Sequence, residues 1–241
     1  MRNQKVASVS GGALSRWVLP QWRCSSFATN LCASLLSARL LAFVLLSFSL
    51  LLLMSNISFS QESPGGGSDA PGIVFFGDSL TAGYGLSPDE AYPALIQEKI
   101  AAFGKNIKVV NAGVSGDTSS GGLRRVDWIL EQRVDVFVLA LGANDGLRGL
   151  PPGESKQNLA RIIEKVQRKH PQAKIVLAGM LVPPNMGASY AKEFREMYTS
   201  LAETYKLQLL PFLLEGVAGI PKLNQADGVH PTAVGQRMIA D

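Results

Sequence analysis

One serine and one histidine of the sequence could together perform nucleophilic catalysis. Ser79 follows an apolar run in "IVFFGDSLTAGYGL", Ile73 to Leu86, and a serine hydroxyl needs a base to remove its proton before it attacks a carbonyl. The chain contains two histidines. His170 lies at the basic end of a predicted helix, "QRKHPQ", where a solvated position is typical. His230 in "DGVHP" is therefore the candidate base.

Two aspartates could orient that histidine. Asp227 precedes His230 by three residues, and in a turn this spacing lets a carboxylate reach Nδ1 and direct Nε2 toward a nucleophile. Asp78 adjoins Ser79 in the chain, but neighbouring side chains need not face the same way. We therefore expect Asp78 to bond loop backbone groups, and Asp78 as the orienting acid is the alternative.

Acyl transfer also requires donors that stabilise an oxyanion. Gly116, in "NAGVSGDTSSGG", offers a backbone N–H that a substrate can approach without a Cβ in the way. Asn144, in "GANDGLRG", offers a side-chain amide, and the N–H of Ser79 itself can face the reacting carbonyl. Taken singly, Gly116 is more typical of an ordinary turn and Asn144 of a cap or turn.

Motifs for other chemistries are incomplete. The "GYGLSP" segment that begins at Gly83 lacks the third glycine of a dinucleotide-binding loop, and no G-x-x-x-x-G-K-[ST] or G-x-S-x-G sequence occurs. Both cysteines, Cys24 and Cys32, precede the predicted folded domain. With one useful histidine and no cysteine there, the sequence predicts no metal site and no cofactor.

The elements that would position these residues alternate between apolar strands and amphipathic helices. Strands are predicted at 72–77, 107–113, 135–142, 173–182 and 207–212, and helices at 87–104, 118–133, 154–170, 188–205 and from about 231. Such alternation predicts an α/β fold with a parallel sheet covered on both faces. Ligand-binding groups of such sheets collect at the carboxyl ends of the strands, where all the candidate residues lie.

The first 60 residues differ in character from the rest. Five of the 23 basic residues and none of the 19 acidic residues lie within positions 1–61, so the remainder carries a net charge near −1, which indicates no nucleic-acid partner. The run from Leu40 to Met54 has the length of a signal-peptide core. We expect export to the periplasm or medium with cleavage near Ser60. An uncleaved anchor in the inner membrane is the alternative, and it would be the only membrane contact.

The predicted organisation is a leader at 1–60, a flexible linker at 61–72 and one domain at 73–241. The linker contains "ESPGGGSDAPG", whose glycines and polar residues are typical of flexible segments. The last helix reaches only two to three turns before Asp241, and we expect it to be cut short.

Four segments in order resemble the sequence blocks of the SGNH hydrolases, also called the GDSL family. They are "FGDSLTAGYG", the Gly116 of "GVSGDTS", "LGANDGLRG" and "DGVHP". The likeness covers 73–241 and is greatest to the exported bacterial acyl-CoA thioesterase, arylesterase and lysophospholipase branch. It implies a three-layer flavodoxin-like sandwich with strand order 2-1-3-4-5.

The resemblance also implies residue roles. It makes Ser79 the nucleophile, His230 the base and Asp227 its acid, and it assigns the oxyanion hole to Ser79, Gly116 and Asn144. It further implies a mobile loop after Asn144 and a second acyl-pocket loop at 181–187. The residues expected to contact substrate are Asp145, Gly146, Leu147, Leu150, Val182, Pro183 and Met186.

The expected function is hydrolysis of acyl esters and thioesters, with a small acyl ester, thioester or lysophospholipid as substrate and no metal. Two alternatives stay open. One is a carbohydrate O-acetyl esterase on the same fold, against which the apolar "LRGLPP" and "LVPPNMG" loops argue. The other is a non-catalytic envelope binding protein, against which the complete set of candidate residues argues.

Overall fold

The computed structural model describes residues 72–241, so the predicted leader and the linker up to residue 71 lie outside it. The strands are β1 (Gly72–Gly77), β2 (Lys108–Gly113), β3 (Val136–Ala140), β4 (Lys174–Ala178) and β5 (Gln208–Leu210). All pair in parallel in the order β2-β1-β3-β4-β5. The predicted α/β class and strand order are confirmed.

Seven α-helices connect and cover these strands within the described residues. They are α1 (Ser79–Ala82), α2 (Tyr92–Ala102), α3 (Ser119–Ile129), α4 (Ala143–Leu147), α5 (Pro152–Lys169), α6 (Ala188–Tyr205) and α7 (Ala233–Ala240). None of the helices between residues 72 and 241 is long and apolar enough to cross a membrane. The short helices α1 and α4 were not predicted, and both lie at the carboxyl edge of the sheet.

The core lies on both faces of the central strands. Phe76 of β1, Phe137 and Leu139 of β3, and Leu177 of β4 are fully buried. A parallel sheet with helices on both faces leaves its central strands no solvent side, which explains their continuous apolar sequence. This packing fixes the ends of β1 and β3, and with them the loops that follow.

The predicted helix at 87–104 is divided in two. Pro88–Glu90 forms a 3₁₀ turn, Ala91 is extended, and α2 begins at Tyr92. The break allows the Tyr92 side chain to be buried while its N–H donates to Gln236 Oε1 at 2.9 Å. A continuous helix from Ser87 is therefore wrong, because burial of Tyr92 fixes the start of α2.

The final helix also begins later than predicted. Pro231 forms an isolated antiparallel bridge with Asn224, and α7 starts at Ala233, capped by Thr232, whose hydroxyl accepts from the Gly235 N–H at 3.3 Å. The segment between the bridged residues is thereby closed into a loop, and this loop carries both Asp227 and His230.

Candidate active site

Ser79 lies at the sharp turn from β1 into α1. Gly77 makes this turn possible, since an added Cβ would lie 2.1 Å from Thr81 Oγ1 and 2.8 Å from the Ala140 carbonyl oxygen. Ser79 is the first residue of α1 and is 9% exposed. Its N–H is one of the first helical donors, which have no acceptor within the helix.

A chain of two hydrogen bonds links Ser79 to the loop before α7. The Ser79 Oγ lies 2.9 Å from His230 Nε2, and His230 Nδ1 lies 2.7 Å from Asp227 Oδ2. The first contact joins residues 151 positions apart. With Nδ1 protonated and donating to Asp227, Nε2 is free to accept the serine proton.

The loop holds the Asp227 carboxylate in its ionised form. Oδ1 accepts from the backbone N–H groups of His230 and Val229 at 3.0 and 2.9 Å. These bonds, led by the one from the His230 N–H, and the His230 side chain lower the pKa of Asp227 to about 2. The carboxylate is therefore charged at neutral pH and suited to stabilising an imidazolium.

Gln225 and Tyr84 hold the histidine from two further directions. The Gln225 N–H donates to the His230 carbonyl at 2.7 Å, and Gln225 Nε2 donates to the Tyr84 carbonyl at 2.7 Å. The Tyr84 ring packs against the imidazole with centroids 4.5 Å apart. Sequence reasoning missed both residues, because no spacing pattern relates Tyr84 to a loop far along the chain.

Asp78 occupies a different environment from Ser79. Its Oδ1 caps α1 by accepting from the Leu80 N–H at 3.0 Å, while Oδ2 is buried with no hydrogen bond of good geometry, although the Asn144 side chain lies near enough to the carboxyl to act on its pKa. The side chain is 0% exposed, and this burial raises the pKa of Asp78 to about 6. Asp78 thus bonds backbone, as expected, and its carboxylate makes no hydrogen bond to the imidazole of His230.

The three candidate oxyanion donors follow neighbouring strands. Ser79 follows β1, Gly116 follows β2 and Asn144 follows β3, and β1 lies between the other two. Gly116 has φ of 81°, a conformation that favours glycine, and nothing lies nearer to the position of a Cβ than Arg148 Nη2 at 3.8 Å. Asn144 Nδ2 donates to the Asp117 carbonyl at 3.0 Å.

Asp145 is not placed to contact a substrate, and that expectation needs correction. It is 1% exposed, with Oδ2 accepting from the Ser119 N–H at 2.8 Å and Oδ1 accepting from the Ser119 and Ser155 hydroxyls at 2.5 and 2.8 Å. Gly146 is also buried, packed against Val182 and Phe194. Both residues instead anchor α4, and with it Asn144, to the rest of the domain.

The other predicted pocket residues lie in two adjoining loops. A Cβ added to Gly149 would lie 3.5 Å from Met186 Cε, and the Tyr190 hydroxyl donates to the Leu150 carbonyl at 2.8 Å. Leu147 is 47% exposed. Contact with an acyl chain stays a prediction for Leu147, Leu150, Val182, Pro183 and Met186.

His170 lies away from Ser79, with Nε2 2.9 Å from the Leu130 carbonyl oxygen at the end of α3. Across residues 72–241, no group of three or more histidine, cysteine, aspartate or glutamate side chains is arranged to hold a metal ion.

Comparison with known proteins identifies the family. Residues 75–238 match the model of the GDSL-like Lipase/Acylhydrolase family. The chain belongs to this family. The resemblance inferred from the four sequence blocks is therefore confirmed, and the family's α/β fold agrees with the observed sheet.

Three relatives are 38–42% identical to this chain in sequence. Esterase TesA of Pseudomonas aeruginosa is 42% identical over 165 residues, which cover 68% of this chain and 81% of that protein. "Thioesterase 1/protease 1/lysophospholipase L1" of Escherichia coli is 41% identical over 170 residues, covering 70% and 79%. The arylesterase of Vibrio mimicus is 38% identical, covering 70% and 84%.

Solved structures of two related esterases have the same fold as this chain. The crystal structure of TesA superimposes with a TM-score of 0.67 at 40% identity, covering 70% of this chain and 93% of that one. AlinE4, an SGNH-hydrolase family esterase, gives a TM-score of 0.63 at 46% identity, covering 71% and 91%.

Proposed function

We propose that this protein is a serine ester hydrolase that cleaves acyl esters and thioesters through an acyl-enzyme on Ser79. The observation that carries the proposal is the hydrogen-bonded chain from Ser79 Oγ through His230 to Asp227, with distances of 2.9 and 2.7 Å. Relatives named esterase, arylesterase and thioesterase support the same reaction class.

The first half of the reaction acylates Ser79. His230 Nε2 takes the hydroxyl proton as Oγ attacks the acyl carbonyl carbon, and the carbonyl oxygen becomes an oxyanion. Asp227, ionised and bonded to Nδ1, stabilises the imidazolium that forms. The C–O or C–S bond then breaks, and Nε2 returns its proton to the departing alkoxide or thiolate.

The second half of the reaction releases the acid. Water takes the place of the leaving group, Nε2 accepts its proton as it attacks the acyl-enzyme, and collapse of the second tetrahedral intermediate returns the proton to Ser79. We assign oxyanion stabilisation in both steps to the Ser79 and Gly116 N–H groups and to the Asn144 amide. Loss of one such donor typically lowers kcat by about 10²–10³-fold.

We further propose that the substrate's acyl portion is apolar. The exposed side chains of Leu147 and Leu181 follow β3 and β4 at the same sheet edge as Ser79. Transfer of an acyl chain from water onto such surface is favourable by roughly 0.8 kcal/mol per buried CH₂. This supports longer acyl chains, including those of lysophospholipids, over acetyl groups.

Activity profiling of the purified protein tests the function. The substrates are p-nitrophenyl esters of graded chain length, acyl-CoA thioesters, lysophosphatidylcholine and acetylated sugars. We expect turnover of acyl esters and thioesters that Ser79→Ala abolishes and that Ser120→Ala, an exposed position on α3, preserves. Activity confined to acetylated sugars would instead indicate an O-acetyl esterase, and wild-type rates in Ser79→Ala would refute the mechanism.

Export also stays a proposal, because the predicted signal lies outside the described residues. We propose that the hydrolase acts in the periplasm or the medium after cleavage near Ser60. Fractionation followed by N-terminal sequencing of the exported protein tests this. A cytoplasmic protein with an intact N-terminus would contradict it.

A further inference from the structure

Arg125 of α3 contacts three residues near the candidate oxyanion donors, two at the end of β1 and one in the loop after β2. Its Nε donates to Asp117 Oδ2 at 2.7 Å, and its Nη2 donates to the Gly77 carbonyl at 2.9 Å. Its Cζ lies 4.0 Å from the centroid of the Phe76 ring. The Arg125 and Asp117 side chains are 21% and 12% exposed, so their ion pair is largely shielded from water.

The Gly77 carbonyl is the point where two loops are joined. It immediately precedes Asp78 and Ser79, and it also accepts from the Val114 N–H at 3.1 Å. The bond from Arg125 therefore ties α3 to the end of β1 at the residue where β1 meets the segment after β2.

Asp117 connects Arg125 to the other two donors. It directly follows Gly116, so its backbone N–H belongs to the peptide that joins the two residues. Its carbonyl accepts one hydrogen of the Asn144 amide. Because a side-chain amide has two N–H donors, this bond fixes the direction of the second N–H of Asn144.

We propose that Arg125, acting through Asp117 and Gly77, is a positioning residue for the oxyanion hole. This inference rests on the proposed function of the site. A planar guanidinium can bond a carboxylate and a carbonyl in fixed relative directions and stack on an aromatic ring, whereas a lysine ammonium is a point charge on a flexible stem. Through Asp117, whose carbonyl binds the Asn144 amide, this one side chain sets the direction of the second N–H of Asn144 relative to the peptide at Ser79.

Steady-state kinetics of Arg125→Met tests the proposal with a matched control. We expect kcat for an acyl ester to fall by about 10- to 100-fold, since a misplacement near 1 Å can lower rates 100-fold, while KM changes little. Arg125→Lys should remain impaired because charge alone does not restore the two directed bonds. Arg124→Met, at the adjacent exposed position on α3, should keep the wild-type kcat.

A double-mutant cycle separates positioning from general loss of structure. If Arg125 acts by aligning Asn144, Arg125→Met should lower kcat much less in an Asn144→Ala background than in the wild-type one. An equal fold-loss in both backgrounds would overturn the proposal, as would a wild-type kcat in Arg125→Met. Should that variant not fold, Asp117→Ala removes the acceptor of the Arg125 Nε bond, and the same cycle then decides.

The cycle also distinguishes this inference from the function on which it rests. A wild-type protein without ester hydrolysis would refute the proposed function. Active wild-type and Asn144→Ala proteins with an additive cycle would refute only the role of Arg125.

Discussion

Replacing the buried Asp78 by asparagine should change how stability depends on pH. Asp78 is 0% exposed, and its Oδ2 makes no hydrogen bond of good geometry. Burial raises the pKa of Asp78 from 3.8 to about 6 in the folded protein. At about 1.4 kcal/mol per tenfold change, ionising this group in the fold costs about 3 kcal/mol more than in the unfolded chain.

The sign of the effect follows from the direction of the pKa change. Because the folded pKa is raised, the stability associated with the neutral carboxyl is fully present below pH 3.8 and is lost as the pH rises through about 6. Asp78→Asn stays neutral and keeps an oxygen for the Leu80 N–H. The free energy of unfolding of the variant minus that of wild type should therefore increase by about 2–3 kcal/mol as the pH rises from about 4 to about 8.

Urea unfolding of both proteins at the two pH values measures this difference. Asp135→Asn is the control of opposite sign, because hydrogen bonding from Arg133 lowers the pKa of Asp135. The stability that ionised Asp135 contributes is present above pH 3.8 and is lost as the pH falls below that value, so Asp135→Asn should lose stability relative to wild type as the pH rises from about 2 to about 4. Parallel stability profiles for wild type and Asp78→Asn would refute the conclusion that burial raises the pKa of Asp78.

Substitutions at three further residues test the site and its supports. Asp227→Asn should lower kcat by about 10³–10⁴-fold, because an amide no longer holds the productive imidazole tautomer; a larger loss in Asp78→Asn, with the fold retained, would make Asp78 the orienting acid. Asp145→Asn should lower the free energy of unfolding by about 1–3 kcal/mol, since the amide cannot accept all the donors of Ser119 and Ser155; an unchanged urea midpoint would contradict this. Tyr84→Ala should lower kcat by about 3- to 10-fold through loss of the ring that packs on His230, and Tyr84→Phe should not; equal rates for both variants would contradict a role for the ring.

The fold was predictable because its central strands, β1, β3 and β4, are largely buried on both faces. Continuous apolar runs such as "IVFF" and "VFVLA" have few alternative structures in a chain of this length, and glycines and helix caps mark where they end. The helix boundaries were less predictable. The extended Ala91 follows from the burial of Tyr92 and its bond to Gln236, which are long-range contacts.

The candidate site could be predicted only where residue type restricts the chemistry. His230 was identifiable because histidine is scarce, and Asp227 because it lies three residues away. Asp145 shows the limit, since neighbouring residues of a helix point in different directions: Asn144 is bonded to the Asp117 loop, and Asp145 is buried against Ser119 and Ser155. Arg125 could not have been found from sequence, because its role depends on contacts with two separate loops.

Covalent labelling with a fluorophosphonate tests the central claim most directly, because the probe reacts with an activated serine. We predict one probe per molecule, which peptide mass spectrometry locates on Ser79, and no labelling of Ser79→Ala. His230→Ala should label far more slowly, since no base then removes the Ser79 proton. Labelling of another residue, or equal labelling rates for wild type and His230→Ala, would contradict the mechanism.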